Sequence, residues 1–235
     1  MSKGFFIDVT KCTACRGCQV ACKQWNKLPA TETENWGSHQ NPKDLNFDTY
    51  KLVHFEEQVV DGQLKWLFWP EQCRHCIDPP CKMTSDMYDE GAIIVDKATG
   101  AVLFTEKTKA LTDFTEGGEL CPYNIPRKNA DSGLWSKCTM CIDRISNGLK
   151  PTCVETCPTG AMSFGDLDDM KAMAEKRLGE VKKKHPNAVL GDADSVRVIY
   201  LYAYKPDLYY SYAVAGLMPP LMDRKQMFAK FGKSV

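Results

Sequence analysis

The chain has 235 residues, 43% of them hydrophobic and 26% charged, with 30 Lys and Arg against 30 Asp and Glu, and 12 cysteines. This is globular composition with room for one large or two small domains, and zero formal net charge leaves no excess of Lys and Arg for a nucleic-acid backbone. Cysteine makes up about 5% of the chain, below the roughly 8 to 10% of a small disulfide scaffold, and a chain this long buries a core without staples, so the cysteines need a chemical explanation.

Gly4 to Val9 (GFFIDV) reads as a short strand feeding Cys12-x2-Cys15-x2-Cys18-x3-Cys22. Only Phe5 to Ile7 is apolar before Asp8, short of the roughly 7 to 15 residues of a signal-peptide core. Any export is therefore expected to be carried by another protein. In a Cys-x2-Cys-x2-Cys stretch three thiolates can reach three irons of one cubane while intervening N–H groups face the sulfurs. The fourth cysteine then lies on the emerging helix, here Gln19 to Lys27, and faces away. Leu28 to Tyr50 is polar and aperiodic, a long loop or crossover.

Two hairpins are expected next. Lys51 to Val60 and Gln63 to Trp69 flank Asp61-Gly62, and Ala92 to Val95 and Ala101 to Phe104 flank a loop ending in Gly100. Between them lies Cys73-x2-Cys76-x4-Cys81, with Cys121-Pro122 further on, so Lys51 to Gly133 reads as a second ferredoxin-like unit. The last motif is Cys138-x2-Cys141-x11-Cys153-x3-Cys157-Pro158. In two-cluster ferredoxins each outward-facing fourth cysteine ligates the other cluster. That predicts one [4Fe-4S] cluster on Cys12, Cys15, Cys18 and Cys157, and a second on Cys22, Cys138, Cys141 and Cys153. Pro158 turns the chain after the ligand, and Gly160-Ala161 lets backbone pass close to an inorganic core. Cys121-Pro122 repeats the signal, making Cys121 the remote ligand of a third cluster with Cys73, Cys76 and Cys81.

Asp166 to Lys184 carries Leu167, Met170, Met173, Leu178 and Val181 at helical spacing, with acids at its start and Lys182 to Lys184 at its end, a well-capped solvated helix. Val196 to Tyr204 reads as a strand returning to the sheet. The aromatic and Met-rich segment from Leu208 is expected to pack on the core, with a clasp for a partner as the alternative. Its uncharged run, Leu208 to Met222, is 15 residues, short of the roughly 18 to 20 of a membrane span.

Other uses of cysteine fit less well. Structural zinc collects two Cys-x2-Cys pairs and has no need of three cysteines in consecutive steps. Disulfides find a poor framework in neighbouring Cys-x2-Cys pairs, and redox-active thiols explain one pair, not twelve residues. His75, inside Cys73-Arg74-His75-Cys76, would need a second histidine motif to form a Rieske centre. None of His39, His54, His75 and His185 is assigned a metal role, and no catalytic acid, base or nucleophile is expected.

The strings Cys12-TA-Cys15-RG-Cys18-QVA-Cys22-KQWN, Cys73-RH-Cys76-IDPP-Cys81 and Lys137-Cys138-TM-Cys141-IDRISNGLKPT-Cys153-VET-Cys157-PTGA resemble the iron-sulfur subunits of molybdopterin oxidoreductases. The resemblance spans about residues 5 to 165 and is strongest to the beta subunit of molybdenum- or tungsten-dependent formate dehydrogenase. Four-cluster members of that family have a further ligand where Ser85 stands and a full motif ending at Cys121, where this chain has Leu111, Phe114 and Gly117. A complete site is thus missing, and three [4Fe-4S] clusters are implied. The fold implied is α+β. Residues 1–50 with 134–165 would form a split two-cluster ferredoxin-like domain, 51–133 an inserted one-cluster unit, and 166–235 a helix-strand extension.

The function implied is electron relay between a large pterin-metal catalytic subunit, held in a heterodimer, and a soluble acceptor such as a multihaem cytochrome c. Neither nucleic acid nor a membrane span is expected. Export of the folded chain with its partner implies the periplasm, with the cytoplasm as alternative. The competing functions are a stand-alone polyferredoxin and the iron-sulfur subunit of another molybdopterin oxidoreductase.

Overall fold

A computed structural model describes residues 2–111, 114 and 120–215. In chain order the elements are β1 (Lys3–Asp8), α1 (Gly17–Trp25), the hairpin β2 (Leu52–Val60) and β3 (Gln63–Glu71), and α2 (Pro80–Ser85). The short pairs β4 (Ile93–Val95) with β5 (Val102–Phe104) and β6 (Arg127–Lys128) with β7 (Trp135–Ser136) follow, then α3 (Ile142–Ile145) and α4 (Thr152–Glu155). Last come β8 (Met162–Asp166), α5 (Leu167–Val181), β9 (Val189–Gly191) and β10 (Val198–Tyr202). The chain is α+β.

The organising layer is a four-stranded sheet in the order β8-β1-β10-β9. β1 runs antiparallel to β8, with Phe5 opposite Phe164, and parallel to β10, with Ile7 opposite Tyr200. Both central strands are buried on both faces, which is why they read as unbroken apolar runs. Phe6, Ile199 and Leu201 pack with Met170, Ala174 and Val181 of α5. Phe5, Ile7, Val198, Tyr200 and Tyr202 face the other way, into a core with Val53, Trp69, Met140 and Cys153. Cys18, Cys153 and Cys157 pack on that second face, whereas Cys73, Cys76, Cys121 and Cys138 pack in the cluster that holds α5.

The first hairpin turns at Asp61 (φ 51°) and Gly62 (φ 73°), the two positive dihedrals a type I′ turn requires. The 28–50 segment has no helix or strand, only an isolated bridge between Asn46 and Thr49. Two side chains of α1 pin it. Gln19 donates to the Asn41 carbonyl at 2.7 Å and accepts from the Val53 N–H at 3.2 Å, and Lys23 donates to the Asp48 carbonyl at 2.7 Å.

The structure departs from the sequence expectation in several places. α1 begins at Gly17, after a left-handed Arg16, and not at Gln19. α5 stops at Val181, leaving Lys182 to Lys184 beyond its last turn, and the Asp166 carboxylate takes Lys3 at 2.6 Å instead of capping the helix. Met173 is exposed while Ala174 is buried, because the stripe on β1 and β10 runs through Met170, Ala174 and Val181. The returning strand is shorter than expected and gains an antiparallel partner, β9. Residues 166–215 thereby supply two of the four strands. Tyr209 and Ala213 are buried in the core, and the Ala213 carbonyl accepts from Tyr202 Oη at 3.1 Å. The rest of the expected C-terminal segment, 216–235, lies outside the described residues.

Truncating Ile199, fully buried at the sheet–α5 contact, to alanine is expected to lower unfolding stability by about 2–5 kcal/mol. Met173→Ala should stay within about 0.5 kcal/mol. Denaturant midpoints of the two variants check both, and equal losses would show that the helix face is wrongly assigned.

Candidate metal centres

All twelve cysteines are free thiols among the described residues. The charges acting on each identify its neighbours. Burial pushes the Cys12 thiol up to about 11, and Cys18 and Cys157 add to the effect. Cys18 is raised by burial, then by Cys15 and Cys157. Cys22, on α1, is raised well above the usual thiol range by burial and next by Cys138, Cys153 and Cys141. Cys76 is pushed up to about 12 by burial, with Cys73 and Cys121 contributing. Cys81 is raised by burial against the opposing charge of Lys137, with Cys73, Cys121 and Cys76 adding. The structure thus brings together Cys12, Cys15, Cys18 and Cys157; Cys22, Cys138, Cys141 and Cys153; and Cys73, Cys76, Cys81 and Cys121.

These sets stand in a row. Cys153 of the second is raised to about 12 by burial, with Cys18 of the first among the further causes. Cys138 of the second is raised to about 12 by burial, and Cys73 of the third is its next cause. The exchange of Cys22 and Cys157 between the first two sets follows from the packing of α1 on α4 and the pairing of β1 with β8, which bring residues 3–25 against 152–166.

The opening Cys-x2-Cys step of each motif owes its shape to a residue in the left-handed region: Ala14 (φ 53°), His75 (φ 45°) and Met140 (φ 60°). That conformation turns its N–H back on the preceding thiol. His75 N lies 3.4 Å from Cys73 Sγ, Met140 N 3.4 Å from Cys138 Sγ, and the Ala14 N–H lowers the Cys12 pKa. Such nests of N–H groups suit an anion. None of the three is glycine, so each costs about 1–2 kcal/mol and nothing in the TA, RH and TM dipeptides announces it. Cys157 is lowered although burial acts against it, because the Thr159 hydroxyl and the N–H groups of Met162, Ala161 and Thr159 together prevail.

The four thiols of the third set line a narrow, partly enclosed cavity of about 20 Å³ whose remaining wall includes Val102, Ile125 and prolines 80, 122 and 126. Among the described residues no three Cys, His, Asp or Glu side chains converge at the spacing of a single ion. A largely apolar pocket with four thiols, inward N–H groups and no carboxylate in its wall has the donor set of a thiolate-ligated anionic cluster.

Where a fourth set would require ligands, Ser85 is fully buried and donates its hydroxyl to the Lys82 carbonyl at 2.9 Å. Leu111 and Phe114 pack with Ala92, Ile93, Val102 and Trp135. Gly117 lies outside the described residues. No histidine joins a thiol set. His75 is held neutral by burial and then by Lys137 and Arg197, and its Nδ1 accepts from the Val102 N–H at 3.0 Å. His54 pairs with Glu71 at 2.6 Å, His39 lies 5.6 Å from the Trp66 ring and His185 5.3 Å from that of Tyr204.

Sequence reasoning missed three buried cations beside the thiols: Lys51, Arg74 and Lys137. Arg74 lies 4.4 Å from the Tyr200 ring, 4.8 Å from Trp69 and 4.9 Å from Tyr123, and its charge lowers the Cys76 and Cys121 thiols. Its place between two cysteines, and that of Lys137 before a third, were the only signals available.

A family model described as a 4Fe-4S dicluster domain matches residues 64–167. The chain is 64% identical over 215 residues to the formate dehydrogenase subunit beta of Megalodesulfovibrio gigas, covering 92% of this chain and all of that protein. It is 52% identical over 216 residues to the formate dehydrogenase 2 subunit beta (cytochrome c-553) of Nitratidesulfovibrio vulgaris, covering 91% of this chain and 99% of the relative. The formate dehydrogenase-O iron-sulfur subunit of Escherichia coli is 40% identical over 210 residues, 87% of this chain and 68% of that longer subunit. With the cysteine motifs and the likeness extending over nine-tenths of its length, the chain belongs to the family of formate dehydrogenase iron-sulfur (beta) subunits.

Proposed function

We propose that the chain is the electron-transfer subunit of a formate dehydrogenase, with [4Fe-4S] clusters held by Cys12, Cys15, Cys18 and Cys157, by Cys22, Cys138, Cys141 and Cys153, and by Cys73, Cys76, Cys81 and Cys121. The observation carrying this reading is the row of three mutually acting thiol sets, two of which exchange one cysteine each. When bound, such clusters supply one-electron transfer at potentials set by hydrogen bonds to sulfur, burial and nearby charge. The chain's residues do the rest. The left-handed loops aim N–H groups at sulfur, the apolar wall around the third set excludes water, and Asn26 Nδ2 lies 3.6 Å from Cys22 Sγ.

The order of the row makes the second set the middle station. Cys15, exposed at one end, brings the first set to the surface. Electrons from a large pterin-metal catalytic subunit would enter at one end and leave at the other for a soluble c-type cytochrome. The cytochrome in the name of the N. vulgaris relative supports that acceptor and a periplasmic complex. No helix among the described residues is long and apolar enough to cross a membrane. Three clusters, and not four, are supported by the apolar packing of Leu111 and Phe114 and the engaged Ser85 hydroxyl. The contact of α1 with α4 supports a split ferredoxin-like domain formed by 1–50 and 134–165, with 51–133 as the inserted unit and 166–235 as the extension.

Anaerobic purification with the catalytic partner should yield about twelve irons in this chain, from three four-iron clusters, and formate should reduce them as read by EPR. Zinc in place of iron would end the cluster reading; a chain that loads iron but purifies alone would turn it toward a free polyferredoxin. Cys157→Ala is expected to remove or convert the cluster of Cys12, Cys15 and Cys18 with little effect on that of Cys138, Cys141 and Cys153. Loss confined to the latter would show that the crossed assignment is wrong.

A further inference from the structure

Lys137, 5% exposed between β7 and Cys138, donates to the Val102 carbonyl at 2.5 Å and the Cys138 carbonyl at 3.0 Å, and lines the cavity of the third set beside Cys73, Cys76, Cys81 and Cys121. Among the described residues its ammonium pairs with no carboxylate. A buried ammonium is retained where an anion compensates it, and neutral oxygens do so only in part. The four thiols that share its cavity are the groups that can supply the anion.

We infer that Lys137 is the resident counter-cation of the third cysteine set, and that its charge raises the reduction potential of the cluster held there. This rests on the cluster assignment proposed above. The physical reason is direct. An added electron makes a cluster more negative, and in a water-excluded site a fixed cation stabilises the reduced form more than it would in solvent.

The test is an EPR-monitored potentiometric titration of the purified complex carrying Lys137→Met or Lys137→Arg, with signals assigned by their loss in Cys81→Ser and Cys157→Ala. Lys137→Met is expected to lower the reduced-to-oxidised ratio of the third-set cluster at least tenfold at fixed potential, about 59 mV for one electron, and to leave the first set unmoved. The arginine variant should stay near wild type. An unchanged potential in an iron-replete methionine variant overturns the inference, as does an equal shift at all three clusters. If a methionine variant loses its adjacent cluster, retention at the wild-type potential in the arginine variant supports a requirement for charge, and loss in both overturns it. Wild-type complex with only eight irons in this chain would instead refute the three-cluster assignment on which the inference stands.

Discussion

Burial of anionic sulfur is the constraint on which the rest of this structure depends. Six of the twelve cysteines are buried and five more half-buried, and burial is the first cause of every upward thiol shift described above. Two unit charges 4 Å apart repel by about 4 kcal/mol at an effective dielectric near 20, so a set of four bare thiolates is untenable without compensation. Metal ions supply most of it. The polypeptide supplies the remainder as N–H groups in left-handed loops, as the hydroxyl of Thr159 beside Cys157, and as ammonium and guanidinium groups kept inside the core.

The fold carries this chemistry within its ordinary packing. One face of the sheet is closed by α5 through Met170, Ala174 and Val181, in a cluster that also takes in Cys73 and, half-buried, Cys76, Cys121 and Cys138. The opposite face carries Tyr200 and Tyr202, whose hydroxyls reach the Pro70 and Ala213 carbonyls at 2.7 and 3.1 Å, with Trp69 Nε1 donating to Tyr202 Oη at 3.1 Å. Arg74 is stacked among these rings and donates to the Gln72 carbonyl at 2.6 Å. Aromatic faces solvate a guanidinium without adding a negative charge.

What was legible in the sequence is what local geometry dictates. Cysteine spacing is set by the reach of a few residues around one object, so the three neighbourhoods of four were readable from the order of Cys12 to Cys22, Cys73 to Cys121 and Cys138 to Cys157. Asp61-Gly62 announced its turn because only certain residues tolerate two positive dihedrals. The misses are contacts between distant segments. Asp166 abandons its capping position because Lys3, 163 residues away in sequence, is nearer than a helix N–H. Met173 and Ala174 exchange the expected exposure because the phase of α5 is set by the strands beneath it, and apolar spacing alone fixes a stripe only to within a residue. The left-handed Ala14, His75 and Met140 were invisible because their strain is held by the loops' surroundings and not by residue type.

The region of Ser85, Leu111 and Phe114 shows how a volume without thiols is filled. Removing one of four ligands leaves three buried thiols without a full share of metal charge, together with an unfilled cavity, and both are destabilising. Replacing every ligand converts the requirement from electrostatics to volume. Leu111 and Phe114, 0% and 2% exposed, meet that requirement, with Phe114 edge-on to Trp135 at 4.8 Å and to Phe104 at 6.2 Å. The serine hydroxyl at the remaining position needs only a carbonyl, and that of Lys82 in the same short helix supplies it. Cys81 packs with this apolar cluster yet also lines the cavity of the third set, so the filled volume adjoins a site that retains all four thiols. A rigid aromatic plug there closes one side of the third set to water.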